Sequence, residues 1–379
     1  MVEVYLYPAG AGDFIRVRFG NGLNWHNLLI DGGQGLLATK CYIDVLQKVR
    51  DAKETADIMI THIDDDHIKS AMNALLSVND LPIIENIFIN TYEQMENVLS
   101  IPGASRFDND IAIIDPTILT HTVPSAVSFL DILKRKNLYD RIHRDILLSG
   151  VCISDYHGAK LKFISPGEKQ LRDLCKEWGN YLKEKREKEK QGVVFSASYR
   201  NKDWIKKNIE DYWNASLPSD KSPLNLSSLA FIFEYDNTCM LFTGDASSGV
   251  METGLKVSKI TSPIKVDLFK IPHHGSCRNI SEKIIEYFPA KGYLLCTNGA
   301  NNNPSKETLA KLVKVNRKAK IYCNNNWNRN KYDEKYFTKN DQTNYLDTGK
   351  LNIYYPSSNI DSVKGISIKE GLVLYLVNF

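Results

Sequence analysis

The sequence predicts an α/β sandwich: two β-sheets face to face, helices outside, and a long helical insertion. Three observations point there. Short apolar runs that end in glycine, aspartate or histidine recur in one block before Ile89 and in a second block after Ser227. Apolar residues at helical spacing separate some of these runs, over Leu36 to Arg50 and again in "SAMNALLSV". The chain between the blocks, residues 91–222, is polar, charged and mainly helical in pattern, so 1–379 is expected to be one domain carrying 91–222 as an insertion.

Taken in order, Val2 to Tyr7 alternates and is rich in β-branched and aromatic residues, a strand pattern. "DFIRVRFG" alternates as well, and "NLLIDGG" ends in a glycine pair, which makes a meander. "ADIMITH" is a short apolar run, the signature of a strand buried on both faces. "IENIFIN" and "LKFISPG" are further strands. The charge run "KEKREKEKQG" alternates in sign and fits a solvated helix face. In "NKDWIKKNIEDYW", Trp204, Ile205, Ile209 and Trp213 fall at helical spacing and are expected to pack as core. The second block supplies "SSLAFIFEY", "TCMLFTGD", "KVDLFKIPHHGS", "KGYLLCTNG" and "AKIYCNN", and the tail adds "KLNIYY" and "GLVLYLVNF".

Composition narrows the class. The chain is 43% hydrophobic and 25% charged, ordinary for a globular protein. A net charge of +3 leaves any nucleic-acid contact to a local patch. Seven scattered cysteines, odd in number and never paired as C-x-x-C, fit reduced thiols and a cytoplasmic location. The start, "MVEVYLYPAGAGDF", lacks the pattern of a signal peptide. No run approaches the roughly 20 apolar residues of a membrane helix, so no membrane partner is expected.

The chemistry is concentrated at strand ends. After Ile58–Thr61 come His62, Asp64, Asp66 and His67; after "CMLFT" comes Asp245; after "VDLFKIP" come His273 and His274. These segments hold four of the eight histidines. An acidic tripeptide alone is more often a solvated loop or a helix N-cap, and a histidine pair alone is weak. Three such segments, each placed where α/β folds carry their sites, point to metal ligation. The inventory fits two divalent ions, zinc or manganese, with one carboxylate shared between them.

His62-Ile63-Asp64-Asp65-Asp66-His67 resembles the H-x-[HD]-x-D-H signature of the metallo-β-lactamase fold, in the branch of the DNA-uptake protein ComEC, where Asp stands second. "AGAGDF", "LLIDGG", "LNLSSLAFIFEY" (Asn225 and Ser228), "LFTGD", "IPHHGS", "CTNGANNNPSKETL" and "YLDTGKLNI" resemble further motifs of that branch, in the same order. The resemblance implies an αββα metallo-β-lactamase sandwich with metals at one edge. It implies His62 and Asp64 for one metal, Asp66 and His67 for the other, Asp245 as the bridge, and His273 or His274 to complete the set. It makes Asp31 a residue that orients the loop. Two positions depart from it. Lys69 and Ser70 stand where small residues are usual, and Asn303 precedes Pro304 where a histidine is usual.

What this implies for function is a metal-dependent hydrolase of phosphodiester bonds, a nuclease first of all. Asp64 or Asp66 would orient the attacking water, His273 or His274 with Lys69 would neutralise the leaving oxygen, and Asn303 would contact phosphate or water. The substrate would be nucleic acid or another phosphodiester. A second reading is a small-molecule metallohydrolase acting on cyclic nucleotides, phosphorylcholine esters or lactones. A third is a low-turnover metal-binding module in a multi-protein antiviral assembly, with the insertion as its partner surface.

Overall fold

The computed structural model describes residues 1–99, 122–188, 207–215, 219–328, 335–356 and 365–377, with residues 122–124 and 181–188 as backbone only. Among these residues the first sheet has seven strands: β1 (Val2–Leu6), β2 (Ile15–Gly20), β3 (Trp25–Ile30), β4 (Thr55–Met59), β5 (Ile83–Phe88), β14 (Ile366–Lys369) and β15 (Leu372–Leu376), in the order β14-β15-β1-β2-β3-β4-β5. β1 to β3 form an antiparallel meander, whereas β3, β4 and β5 run parallel. Their crossovers are α1 (Leu36–Asp51) and α2 (Asp65–Ser77).

Among the described residues the second sheet has eight strands: β6 (Cys152–Tyr156), β7 (Ala159–Ser165), β8 (Ala230–Tyr235), β9 (Thr238–Phe242), β10 (Val266–Lys270), β11 (Ala290–Leu295), β12 (Ala319–Cys323) and β13 (Leu351–Tyr354), in the order β13-β12-β11-β10-β9-β8-β7-β6. β9 to β13 are parallel, and β6 to β9 antiparallel.

The apolar runs are continuous where central strands such as β3, β4, β8, β9 and β10 bury both faces, and alternate residues serve different layers. On β8 and β9, Phe231, Phe233, Met240 and Phe242 join Leu28, Met59 and Phe88 of the first sheet in a core between the sheets. Their neighbours Ile232 and Leu241 face outward, against Met251, Ile284 and Leu309 of the second sheet's helices. On β3 and β4, Leu29 and Ile58 face outward against Tyr42, Val45 and Leu75. Three apolar layers therefore separate four layers of structure, an αββα sandwich. Burying each such side chain contributes about 1.5–3 kcal/mol. On α1, Ala38, Cys41, Tyr42, Val45, Leu46 and Val49 are buried at helical spacing, which is why that run folds as an amphipathic helix.

The remaining helices are α3 (Tyr92–Leu99), α4 (Thr122–Arg135) and α5 (Glu168–Lys188) by the first sheet, α6 (Pro223–Leu226), then α7 (Ser248–Val257), α8 (Glu282–Tyr287), α9 (Lys306–Val315) and α10 (Lys339–Asp341). The span 91–222 is more than a helical addition, because β6 and β7 inside it complete the second sheet. The expected helix around Trp204 to Trp213 is, over its described part, a 3-10 turn at Ile209–Tyr212; Ile209 is buried and Trp213 is 37% exposed. Trp204 and Ile205 lie outside the described residues, as does the end of the charge run past Lys188. Among the described residues, no helix is long and apolar enough to cross a membrane.

Candidate metal centre

The parallel strands β3, β4, β9 and β10 all end at one edge of the sandwich, and each delivers a polar residue there. β3 is followed by Asp31, β4 by Thr61 and His62, β9 by Gly244 and Asp245, and β10 by His273 and His274. The backbone is left-handed at Asp31, His273 and His274 (φ 56, 48 and 54°), a conformation that non-glycine residues adopt at a cost of order 1–3 kcal/mol and that clusters at functional sites.

Asp64 is the N-cap of α2, yet its side chain makes no capping hydrogen bond. Its Oδ1 is buried without a hydrogen-bond partner, and its Oδ2 lies 3.5 Å from His62 Nε2. The carboxylate is therefore not spent on the helix end, where an N-cap aspartate ordinarily bonds.

Two groups of donor atoms meet at Asp245. In one, His67 Nε2 lies 3.4 Å from Asp245 Oδ1, 3.3 Å from His274 Nε2 and 3.9 Å from Asp66 Oδ1, and His274 Nε2 lies 3.3 Å from Asp66 Oδ2. In the other, Asp245 Oδ2 lies 3.8 Å from His62 Nε2 and 3.7 Å from His273 Nε2, with Asp64 beside His62. The structure thus brings all seven candidate metal donors together; His274 reaches Asp66 and His67 and also Asp245 Oδ2 (3.6 Å), whereas His273 reaches Asp245 Oδ2 alone of these.

A set of supports aims the rings. Asp31 accepts from the Thr61 N–H (2.7 Å), from the Thr61 hydroxyl (2.7 Å) and from His67 Nδ1 (2.8 Å), which leaves His67 Nε2 facing the centre. His274 Nδ1 lies 3.0 Å from the Cys296 carbonyl and 3.3 Å from Asp13. His273 Nδ1 is 3.2 Å from Asp220 and 3.0 Å from Asn279 Oδ1, and both Asn225 and Asn279 donate to Asp220. The buried Lys270 ammonium pairs with Asp13 and lies 3.9 Å from Asp245, so it offsets part of the negative charge. Donor atoms of Asp13, His67, Asp245 and His274 all fall within 4.8 Å of one another. Asp13 nevertheless lies behind the rings, on Nδ1 of His274 and on Lys270, and we assign it to orientation, with Asp66 on the Nε2 side.

Burial drives the His67 and His274 rings toward neutrality, but adjacent carboxylates outweigh it. Asp245 and Asp31 hold His67 well above its ordinary value, and Asp245, Asp13 and Asp66 push His274 up to about 10. Burial likewise opposes ionisation of Asp245, yet His273, His274 and His67 hold its carboxyl well below the usual range. Protons thus balance the charge when no ion does.

The donor set fits a transition ion. Ligand atoms around a tetrahedral ion with bonds of about 2.0–2.1 Å stand about 3.3 Å apart, close to the spacing of the His67 and His274 nitrogens. His62 Nε2, Asp64 Oδ1 and Asp245 Oδ1 are buried with no hydrogen-bond partner, an arrangement that native proteins seldom leave uncompensated.

Lys69 forms an ion pair with Asp65 one turn earlier on α2, at 3.3 Å. The Asn303 amide donates to the His273 carbonyl at 3.4 Å, so it braces the histidine turn. Sequence reasoning missed Asp13 as a site residue, along with Lys270, Asp220 and Asn279. "AGAGDF" carried a signal for Asp13, and the lysine near the end of the apolar run "VDLFKIP" carried one for Lys270; Asp220 and Asn279 had none.

Fold and site together define a class: an αββα sandwich with a buried histidine–aspartate cradle able to hold metal ions. No protein-family model matches the chain, and no curated protein matches it. Among solved structures, a mutant of CmlA beta-hydroxylase is similar at 11% identity and a TM-score of 0.36, over 83% of this chain and 50% of that one. The chain thus spans half the length of that protein.

Proposed function

We propose that this protein is a metal-dependent hydrolase of the metallo-β-lactamase fold, of the ComEC-like branch, acting on phosphodiester bonds and first of all on nucleic acid. The observation that carries the reading is the sharing of Asp245 between the His62–Asp64 and Asp66–His67 donor groups. His62, Asp64, Asp245 and His273 would hold one ion, and Asp66, His67, Asp245 and His274 the other. Two such ions lower the pKa of water and stabilise charge developing on a phosphoryl oxygen. Asp64 in the signature loop makes the cradle more anionic than a histidine would, which favours manganese beside zinc and suits phosphodiester chemistry.

The chain's own residues do the rest. Asp31 and Thr61 fix His67, Asp13 and the Cys296 carbonyl fix His274, and Asp220 with Asn279 fixes His273. His274 holds Asp66 ionised against the effect of burial, so Asp66 is present as a carboxylate that can orient a water. Asn303 donates to the His273 carbonyl and so holds the histidine turn, and its amide would contact a substrate phosphate or the attacking water.

The test is a substrate panel with zinc or manganese: single- and double-stranded DNA, RNA, bis-(p-nitrophenyl) phosphate, a cyclic nucleotide and a lactone. Cleavage of polynucleotide and of the nitrophenyl diester supports the reading. Turnover of the lactone alone, or of nothing in protein that holds its ions, overturns it.

A further inference from the structure

One stretch of the chain is basic with no acidic residue: from Lys311 to Lys320, five of ten residues are Lys or Arg and none is Asp or Glu. Two of the five are taken up by the fold, Lys311 by the Cys277 and Ile280 carbonyls and Lys314 by Glu282. Arg317, Lys318 and Lys320 are exposed and form no ion pair among the described residues. Arg317 lines a groove of about 470 Å³ with Lys350, Trp213, Tyr345, Val313 and Glu210. Lys350 is exposed as well, and its ammonium lies 5.6 Å from the centre of the Tyr345 ring. Trp213, whose spacing in sequence suggests core packing, is 37% exposed at the end of the 3-10 turn Ile209–Tyr212. Glu210 is the one carboxylate among these lining residues, and it accepts from the Asn344 amide at 3.3 Å.

We propose that this groove is a second contact for single-stranded nucleic acid, in which the Trp213 indole stacks on a base while Arg317 and Lys350 hold phosphates of the same strand. The inference rests on the reading of nucleic acid as substrate. An exposed indole beside unpaired cations is the pairing that such strands use, because every base has a stacking face and every link carries a charge. A chain with a net charge of only +3 needs a local patch of this kind. An acidic peptide would satisfy the cations and leave the indole uncovered. The helix α9 relates the groove to the cradle. Ser305, its N-cap, and Thr308 in its first turn both donate to the Gly275 carbonyl, next to His274. Val313 in its last turns, and Arg317 just beyond, line the groove. Ten helical residues span about 15 Å, so the groove holds a part of the strand well away from the bond at the cradle, and a small diester at the cradle cannot reach it.

The test is binding of a fluorescein-labelled oligothymidylate of about 20 nucleotides to full-length, metal-free protein, followed by anisotropy over a range of salt concentrations. Wild type is compared with Trp213→Ala, Trp213→Phe, Arg317→Gln and Lys350→Gln. Trp213→Ala should bind about 5- to 100-fold more weakly, the effect of losing one stacked base, and Trp213→Phe should keep most of the affinity. Each glutamine variant should bind more weakly and lower the slope of log affinity against log salt by about 0.7, the share of one phosphate contact on a single strand. Cleavage of bis-(p-nitrophenyl) phosphate by the metal-loaded variants should match wild type. The glutamine variants lie at exposed positions, so they decide the matter if Trp213→Ala does not fold. Equal affinity and equal salt slope in wild type and the folded variants would overturn the proposal and leave the reading of the cradle standing. So would a strand that polyglutamate displaces and that Trp213→Ala binds as wild type does, since that is a charge patch alone. Weakened binding in the variants, in a protein whose metal-loaded form cleaves no diester, would support the groove and overturn the reading of the cradle.

Discussion

At the scale of single residues, the cradle depends on shared and oriented groups. Asp245→Ala should disrupt both donor groups at once, because its Oδ1 faces His67 and its Oδ2 faces His62, His273 and His274. The expected outcome is loss of both cradle ions and of hydrolysis, read by elemental analysis beside activity; loss of one ion with activity kept would contradict the shared role. Asp31→Ala should leave the donors in place but release His67 Nδ1, with a 10- to 100-fold loss of metal affinity, the usual effect of removing such a support. pH gives a further check. In metal-free protein His274 titrates at about 10, above its ordinary 6.5, so its contribution to stability is fully present below about 6.5 and is lost as pH rises through 10. Metal-free protein should therefore melt at a lower temperature at pH 10 than at pH 7. Loading the cradle must displace these protons, so adding zinc at pH 7 should acidify a weakly buffered solution, and should not do so with Asp245→Ala.

At the scale of elements, the question is what the acidic start of α2 is for. If Asp64 served as a helix cap, Asp64→Ala would cost about 1 kcal/mol in the metal-free protein. Because its side chain makes no cap bond, we expect the metal-free melting temperature to be nearly unchanged and the rise on adding zinc to shrink. Thermal melts with and without metal decide between these. The segment "AGAGDF" is tied to the same helix: a Cβ on Gly12 would fall 1.6 Å from the Asp66 carbonyl oxygen, a backbone atom. Gly12→Ala should therefore shift the metal loop and lower zinc affinity. Legibility in the sequence followed local pattern. Strands buried on both faces write themselves as apolar runs, and their ends locate His62, Asp64, Asp66, His67, Asp245, His273 and His274. What stayed hidden needed tertiary geometry. The separate partners of His273 (Asp220) and His274 (Asp66 and Asp13) depend on a turn with left-handed backbone at both residues. Asp220 and Asn279 lie in loops whose approach to His273 no local pattern encodes. The hairpin of β6 and β7 belongs to the second sheet although its neighbours in sequence are helices. The Trp204–Trp213 spacing is helical on paper, but the chain over Ile209–Tyr212 closes as a single 3-10 turn that buries Ile209 alone of the described pair.

At the scale of the whole molecule, two sheets between apolar layers carry the cradle at one edge, and a cradle lined by Asp64, Asp66 and Asp245 is a burden until charge balances it. An ion that binds only the folded chain adds about 2.7 kcal/mol of stability at a concentration 100 times its dissociation constant, so zinc or manganese should raise the melting temperature by several degrees. The charge run beyond Lys188 and Trp204 lie outside the described residues; we propose that this part of 91–222 receives long substrates or protein partners, as an antiviral assembly would require. Trimming residues 184–191 should then spare small diesters and weaken cleavage of long ones. We propose that the histidine–aspartate cradle hydrolyses phosphodiesters with bound metal. The most direct measurement is cleavage of bis-(p-nitrophenyl) phosphate by metal-stripped wild type and Asp245→Ala as zinc or manganese is restored. The account predicts that wild type is silent when stripped and recovers with added metal, while Asp245→Ala stays silent with every ion. Wild type that takes up its ions and cleaves nothing, or Asp245→Ala that matches wild type, would contradict it.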